Sequence, residues 1–177
     1  MKTLVKLFVL SALALAACSG PKSYFTQDIR KKLEANSVDL TQLQFYVDRD
    51  VVLKRELTSG NLNVTSGKVK MENGKYIHII VLKKFTPGVC TGVSDKSLDI
   101  SFEMGDGKTL KFGLTPGAKI ENYQILAHKW VNNMGEVTYD GQTYQIQAEG
   151  SRAALLIRKS AINTFEIRRH VMKGRKV

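Results

Sequence analysis

The sequence lacks the local motifs of the common enzyme classes. It contains no GxSxG, HExxH or CxxC, and no glycine-rich loop that ends in a P-loop lysine. Its histidines, His78, His128 and His170, are scattered over about ninety residues without the short spacing of a metal site. The sequence therefore predicts a protein that is not an enzyme and that needs no cofactor and no metal.

Acidic side chains are scarce. The chain has 16 Asp and Glu against 27 Lys and Arg, which gives a formal net charge of +11. A balance this basic favours contact with anionic surfaces, such as phospholipid or lipopolysaccharide headgroups, or with an acidic protein partner.

The sequence also has no apolar run long enough to cross a bilayer. The longest candidate, residues 7–17, covers about half of the roughly 20 residues that a spanning helix needs. Lys2 and Lys6 precede it, and small residues end it. A basic head, a short apolar middle and small residues at the end are typical of a cleavable export signal, which we place at residues 1–17.

The end of this signal, Leu15-Ala16-Ala17-Cys18, resembles the lipobox of bacterial lipoprotein precursors. The resemblance implies cleavage before Cys18 and acylation of that residue, which becomes the lipid attachment site. More than one acyl chain is needed for stable anchoring. Residues 18–22 would form a lipidated tether, followed by a single β-rich domain over residues 23–177. By the same resemblance, a serine after the lipidated cysteine, here Ser19, is compatible with transfer to the outer membrane, and the lack of an acidic cluster beside the cysteine favours the leaflet that faces the periplasm. Nucleic acid is not an expected partner there.

Only one cysteine, Cys90, remains once Cys18 is lipidated, so no disulfide framework is expected. Nothing in the local sequence FTPGVCTG supplies the cation or helix N-terminus that makes a thiol reactive. We predict that Cys90 is a small buried core residue.

The pattern of apolar residues predicts an all-β fold with one short helix. Phe25, Ile29 and Leu33 recur every four residues, with Arg30 and its neighbours Lys31 and Lys32 on the other sides, which predicts an amphipathic helix at residues 26–35. Strand-like runs then follow at 44–47, 51–57, 68–71, 76–82, 98–103, 109–114, 123–130, 136–139, 144–148, 154–159 and 164–171. So many short strands indicate an antiparallel sandwich or a small barrel.

Two turn signals lie in similar surroundings. GKVKMENGKYIHI from Gly67 resembles GEVTYDGQTYQIQ from Gly135, and Asn73-Gly74 and Asp140-Gly141 are typical of hairpin turns. Each stretch is followed by two further strand-like runs. One interpretation is a pair of similar four-stranded units that share a core, and the other is chance, because all hairpins alternate in this way.

The C-terminus concentrates positive charge. Its candidate contact residues for an anionic surface or a partner are Arg168, Arg169, Lys173, Arg175 and Lys176. One interpretation is a solvated edge strand whose cations discourage edge pairing, followed by a frayed tail. The other is an electrostatic contact with headgroups or with the acidic face of a partner.

Two further stretches have a structural interpretation. Asp48-Arg49-Asp50 lies between two strand-like runs, so we interpret it as a turn with a local charge pair and not as the paired acids of a glycosidase. Trp130 is expected to be buried at a strand end, and anchoring of a binding surface is the alternative.

These observations favour a membrane-anchored, non-enzymatic lipoprotein that is an accessory or docking component of a bacterial envelope assembly, either secretion or outer-membrane machinery. The alternative is a periplasmic lipoprotein that binds a small ligand or inhibits a hydrolase. A large interior cavity would favour the ligand-binding alternative.

Overall fold

The computed structural model describes residues 20–58, 67–115, 121–166 and 174–175, and these residues form thirteen strands and two α-helices. The strands are β1 (Lys22–Tyr24), β2 (Gln44–Val47), β3 (Val51–Leu57), β4 (Lys68–Glu72), β5 (Lys75–Leu82), β6 (Pro87–Val93), β7 (Ser97–Ser101), β8 (Thr109–Leu114), β9 (Tyr123–Ile125), β10 (Lys129–Val131), β11 (Met134–Tyr139), β12 (Gln142–Ile146) and β13 (Leu155–Arg158). Helix α1 (Gln27–Ala35) follows β1, and helix α2 (Lys159–Glu166) follows β13.

The strands form two antiparallel sheets, which confirms the all-β prediction and its sandwich form. The seven-stranded sheet has the order β1-β13-β2-β6-β7-β8-β9, and the six-stranded sheet has the order β10-β11-β12-β3-β5-β4. The outer strand β9 also bonds back to the other edge of its sheet: Tyr123 N–H donates to Phe25 O at 3.0 Å, and Ile125 N–H donates to Ala153 O at 2.8 Å. The seven-stranded sheet therefore curls until its two edges meet.

Both sheets contribute to one hydrophobic core, because apolar residues alternate along their strands. In β11, for example, every second residue is buried, ending with Val137 and Tyr139. Phe25 and Phe45 meet edge to face, with ring centroids 5.1 Å apart, a favoured geometry for aromatic pairs.

Helix α1 lies where the spacing predicted it. The side chain of Thr26 caps its N-terminus by accepting from Ile29 N–H, and the helix ends before Asn36. One face buries Leu33 against the core. The assignment of Arg30 to the polar sides was wrong: Arg30 is only 5% exposed, because its guanidinium reaches the hydroxyl of Tyr123 underneath the helix.

Both predicted hairpin turns are confirmed. Glu72 pairs with Lys75 across Asn73-Gly74, and Tyr139 pairs with Gln142 across Asp140-Gly141. The turn residues all have positive φ, 50° and 74° in the first turn and 52° and 67° in the second. Such turns match the twist of the flanking strands. The two hairpins lie on either side of β3 in the six-stranded sheet.

The second of the two proposed four-stranded units lacks its predicted fourth strand among the described residues. The last strand of the second unit was predicted at 164–171, but residues 164–166 end helix α2 and residues 167–171 lie outside the described residues. Ala161 and Ile162 pack side by side against the core, which a helical turn allows and a strand does not. The strands of each proposed unit are also divided between the two sheets.

Three strand assignments differ from the structure. The predicted strand 123–130 is interrupted, and its halves, β9 and β10, lie in different sheets. Strand β6 occupies a stretch interpreted as a loop leading into a strand; Pro87 is tolerated as its first residue. Lys22, assigned to the tether, begins β1, because Lys22–Tyr24 pairs with β13.

Candidate functional site

Most residues predicted to contact lipid or a partner lie outside the described residues. These are Cys18, Arg168, Arg169, Lys173 and Lys176. Arg175 is described and is exposed. The contacts proposed for these six residues stay predictions.

The histidines are not brought together. His78 is buried, with its Nδ1 2.8 Å from the hydroxyl of Tyr144. His128 lies between β9 and β10 and not within a strand, and its Nε2 is 3.3 Å from Thr138 Oγ1. His170 lies outside the described residues. Within the described part of the chain, no cluster of three or more His, Cys, Asp and Glu could hold a metal ion.

Cys90 is a core residue, as predicted. It is buried, and its thiol donates to Gly92 O at 3.3 Å. Burial raises the pKa of Cys90 above its ordinary value, with the backbone contact to Gly92 acting in the opposite direction. Because the thiolate is the reactive form, Cys90 is a poor nucleophile.

The acidic turn at residues 48–50 is confirmed as a structural turn between β2 and β3. Asp48 accepts from Arg49 at 2.9 Å and from Ala154 N–H at 2.8 Å, which ties the turn to the residue before β13. Asp50 accepts from Lys83 Nζ at 2.7 Å and from Lys84 N–H at 2.8 Å. Both carboxylates are therefore occupied by structural contacts.

Trp130 is not buried, so the expectation of burial was wrong. It lies on β10, which ends the six-stranded sheet, and it is 41% exposed. One side of its ring covers Gly135, where an added Cβ would come within 2.6 Å of the ring. Strand β10 is an edge strand, with a neighbouring strand on one side only.

A small apolar cavity lies between the two sheets. Its volume is about 130 Å³, and its lining includes Leu53, Ile80, Phe102, Leu110 and Tyr139. Ligand pockets usually measure roughly 300–1,000 Å³, whereas an engineered cavity of about 150 Å³ holds benzene. The cavity is therefore too small for a typical metabolite.

A larger groove lies where the chain enters the domain. It has a volume of about 690 Å³ and is formed by β1, the loop between β5 and β6, and the start of α2. We call it the N-terminal groove and define it by five of its lining residues: Lys22, Tyr24, Lys84, Phe85 and Lys159. Gly20 and Pro21 also line it, and Pro21 O accepts from Lys159 N–H at 2.9 Å.

Cations and aromatic rings are interleaved in the N-terminal groove. The ammonium of Lys22 lies 4.6 Å from the ring centroid of Tyr46 and 4.9 Å from that of Phe85. The ammonium of Lys84 lies 4.8 Å from the same Phe85 ring. These distances are typical of cation–π contacts. The ring of Phe85 therefore contacts two lysines.

Phe85 has an unusual backbone conformation. Its φ is +64°, in the left-handed region, and its side chain is 46% exposed. For a residue with a Cβ this conformation costs about 1 kcal/mol or more. The hydrogen bond from Phe85 N–H to Val47 O, 2.8 Å long, helps to hold it. The backbone conformation of Phe85 thus costs free energy, and burial of its half-exposed side chain does not fully offset that cost.

The lysine side chains of the groove, Lys22, Lys84 and Lys159, form no contact ion pair with a carboxylate of the described residues, although the charge of Lys84 acts on nearby Asp50. Asp48 also lines the groove, but it is paired with Arg49 and bonded to a buried backbone N–H. The groove is therefore cationic.

The sequence interpretation missed this groove. Its residues come from three distant segments, so no local motif marks it. The nearest signal is the run Lys83-Lys84-Phe85 before Pro87, in which two cations precede an aromatic residue at a turn.

Comparisons with known proteins assign no family. No protein-family model, no curated protein and no solved structure matches the chain. The helices that the structure describes include none that is long and apolar enough to cross a membrane.

Proposed function

We propose that this chain is a membrane-anchored, non-enzymatic lipoprotein and an accessory or docking component of a bacterial envelope assembly, in secretion or outer-membrane machinery. One observation carries the proposal beyond the lipobox itself. Pro21 O accepts from Lys159 N–H, so Pro21 is joined to the domain, and only Ser19 and Gly20 separate it from Cys18 in the sequence. An acylated Cys18 would hold the domain directly against the bilayer, at the outer membrane facing the periplasm.

The inter-sheet cavity does not support ligand binding inside the core. At about 130 Å³ it is well below the usual size of a ligand pocket. A ligand held between the two sheets would therefore be limited to about the size of benzene. Inhibition of a hydrolase through loops is another form of docking. It does not require an interior cavity.

Strand β10 offers a contact for an envelope protein. Trp130, Val131 and Met134 are exposed near the edge of the six-stranded sheet. Tryptophan is enriched among the residues that dominate protein interfaces, and an exposed edge strand can pair with a strand of a partner. The basic residues near the C-terminus, Arg168 to Lys176, are proposed as a second, electrostatic contact.

The anchor is tested by the substitution Cys18→Ser. The unsubstituted protein should incorporate a palmitate label and fractionate with membranes, and Cys18→Ser should lose the label. Cys90→Ser, which changes the other cysteine, is the control and should retain it. Continued labelling of the Cys18→Ser protein would contradict the proposed lipoprotein assignment.

The partner contact is tested by site-specific photo-crosslinking in cells. A photoreactive residue in place of Trp130 should capture one defined envelope protein. The same residue in place of Val93, which is comparably exposed on β6 of the other sheet, is the control. Equal capture from both positions, or no capture from position 130, would contradict the proposal that β10 contacts the partner.

The C-terminal contact is tested by changing Lys173, Arg175 and Lys176 to Ser. Exposed charges are screened over about 8 Å at physiological salt, so association with the partner or with acidic vesicles should weaken most at low salt. Association that stays at full strength and does not respond to salt would leave this tail without a docking role.

A further inference from the structure

We propose that the N-terminal groove is the membrane-facing side of the domain and binds the surface of an anionic phospholipid bilayer. Lys22, Lys84 and Lys159 contact lipid phosphates, and the ring of Phe85 inserts among the headgroups. The proposal rests on the proposed anchoring through Cys18, because that anchor selects which face of the domain meets the bilayer.

The position of the groove follows from the length of the tether. Gly20 and Pro21 line the groove, and Cys18 precedes Gly20 by two residues. Two residues extend at most about 7 Å, less than one Debye length at physiological salt. An acylated Cys18 therefore holds the groove within electrostatic reach of the headgroups.

The charges of the groove complement such a surface. Lys22, Lys84 and Lys159 come from three separate segments, converge on one depression, and form no ion pair with a carboxylate of the described residues. The carboxylate that lines the groove, Asp48, already accepts from Arg49 and Ala154. The ammonium groups of Lys22 and Lys84 lie beside aromatic rings and not beside a carboxylate at contact distance, so they can accept a phosphate as ion-pair partner.

Phe85 supplies the apolar part of the contact. It lies in the loop between β5 and β6, is 46% exposed, and has the ammonium groups of Lys22 and Lys84 within 5 Å of its ring centroid. Aromatic side chains flanked by lysines are typical of the membrane interface, where the ring enters the headgroup layer and the charges remain in the polar region. The left-handed backbone of Phe85 keeps the ring outside the core.

The first experiment measures vesicle binding without the acyl anchor. Residues 18–177 with Cys18→Ser contain every described strand and helix and remove both the lipid and the signal peptide. This protein should float with vesicles of phosphatidylcholine mixed with phosphatidylglycerol, and not with phosphatidylcholine alone. No binding to the anionic vesicles at low salt would overturn the proposal and would leave an acidic protein as the occupant of the groove.

A matched pair of variants locates the binding surface. Changing Lys22, Lys84 and Lys159 to Gln should weaken binding at least about tenfold, given the strength of lysine contacts at anionic surfaces. The control changes Lys70, Lys96 and Lys129 to Gln, which removes the same charge from exposed lysines elsewhere. Equal losses in the two triple variants would mean that net charge alone drives binding, and would overturn the assignment to the groove.

Insertion of Phe85 is tested with a single tryptophan. Phe85→Trp in a Trp130→Phe background places the only tryptophan in the groove. Its fluorescence should shift to the blue on binding and should be quenched by lipids brominated in the upper acyl chain. The unsubstituted protein, whose one tryptophan is Trp130 on β10, is the control and should show neither change. A tryptophan at position 85 that stays unquenched would rule out insertion.

The two proposals can fail separately. If Cys18 takes no palmitate but the groove variants still lose vesicle binding, the anchor is wrong and the groove assignment stands. If Cys18 is acylated but the Lys22, Lys84 and Lys159 triple variant binds vesicles as the unsubstituted protein does, the groove assignment is wrong and the anchor stands.

Discussion

Arg30 and Lys22 each lie over an aromatic ring, yet their surroundings differ in every other respect. Arg30 lies 5.8 Å from the ring centroid of Tyr123, is 5% exposed, and donates to the hydroxyl of Tyr123 at 2.9 Å and to Glu34 at 2.7 Å. Lys22 lies in an open groove between aromatic rings and has no carboxylate partner among the described residues. The same kind of pairing between a cation and a ring is thus found both in the interior and at the surface.

The difference shows what each cation contributes. Burial disfavours the charge of Arg30, but its hydrogen bonds to Glu34 and Tyr123 outweigh burial and raise its pKa above the ordinary value. Arg30 therefore stays charged and holds helix α1 to β9. No ion pair of the described residues involves Lys22, Lys84 or Lys159. We therefore expect that the stability of the fold does not depend on these three lysines. The predictions below test this separation of stability from surface contact.

The largest expected effect is at Arg30. Arg30→Ala removes hydrogen bonds of a charged, buried side chain and should lower the free energy of unfolding by about 2 kcal/mol. Urea denaturation measures this, with Lys31→Ala, one position along the same helix and exposed, as the control. Equal free energies of unfolding for the two variants would contradict the stabilising role of the buried Arg30.

The next effect has the opposite sign. Phe85→Gly relieves the left-handed backbone at φ +64°, so the free energy of unfolding should stay level or rise by up to about 1 kcal/mol. Gly74→Phe is the mirror control: it places the same side chain at φ +74° in open space, and should lower stability by about 1 kcal/mol. A clear loss of stability in Phe85→Gly would show that Phe85 serves the fold after all.

A smaller effect depends on pH. The hydrogen bond from Lys83, together with Lys84 N–H, lowers the pKa of Asp50 below its ordinary value of 3.8. This contribution to stability is present above the unfolded-state pKa and is lost as the pH falls through the folded-state pKa. Asp50→Asn should therefore lower the melting temperature slightly at neutral pH and leave it unchanged in strong acid. A difference that persists in acid would assign the effect to something other than the charge.

The smallest effect is expected for the groove lysines. Changing Lys22, Lys84 and Lys159 to Gln should alter the free energy of unfolding by less than about 0.5 kcal/mol, as for other surface substitutions. Chemical denaturation of the triple variant beside the unsubstituted protein measures it. A loss comparable to that of Arg30→Ala would mean that these lysines support the fold.

Local patterns were sufficient to predict much of the sheet. Strands β2, β3 and β8 run over the predicted residues, because each is a short run rich in apolar residues. The Asn-Gly and Asp-Gly turns are equally local, since their residues tolerate positive φ. Burial of Cys90 followed from the same reasoning: its neighbours in the sequence offer nothing that would activate a thiol.

The remaining features depend on distant partners. Strand β1 pairs with β13, which is distant in the sequence. The local sequence at Pro21 and Lys22 contains no pattern that predicts this pairing. Burial of Arg30 requires Tyr123, which is 93 residues away. The N-terminal groove requires β1, the loop before β6 and the start of α2 to converge. Such features follow from topology, which periodicity in a single sequence does not specify.

The pairing of β1 with β13 determines how the domain responds to a pulling force. Because the strands are antiparallel, Lys22 at the start of β1 lies opposite Arg158 at the end of β13. A load applied between the proposed lipid anchor at Cys18 and the C-terminal end of β13 would separate this strand pair one hydrogen bond at a time. Release of β1 would add three residues to the proposed tether.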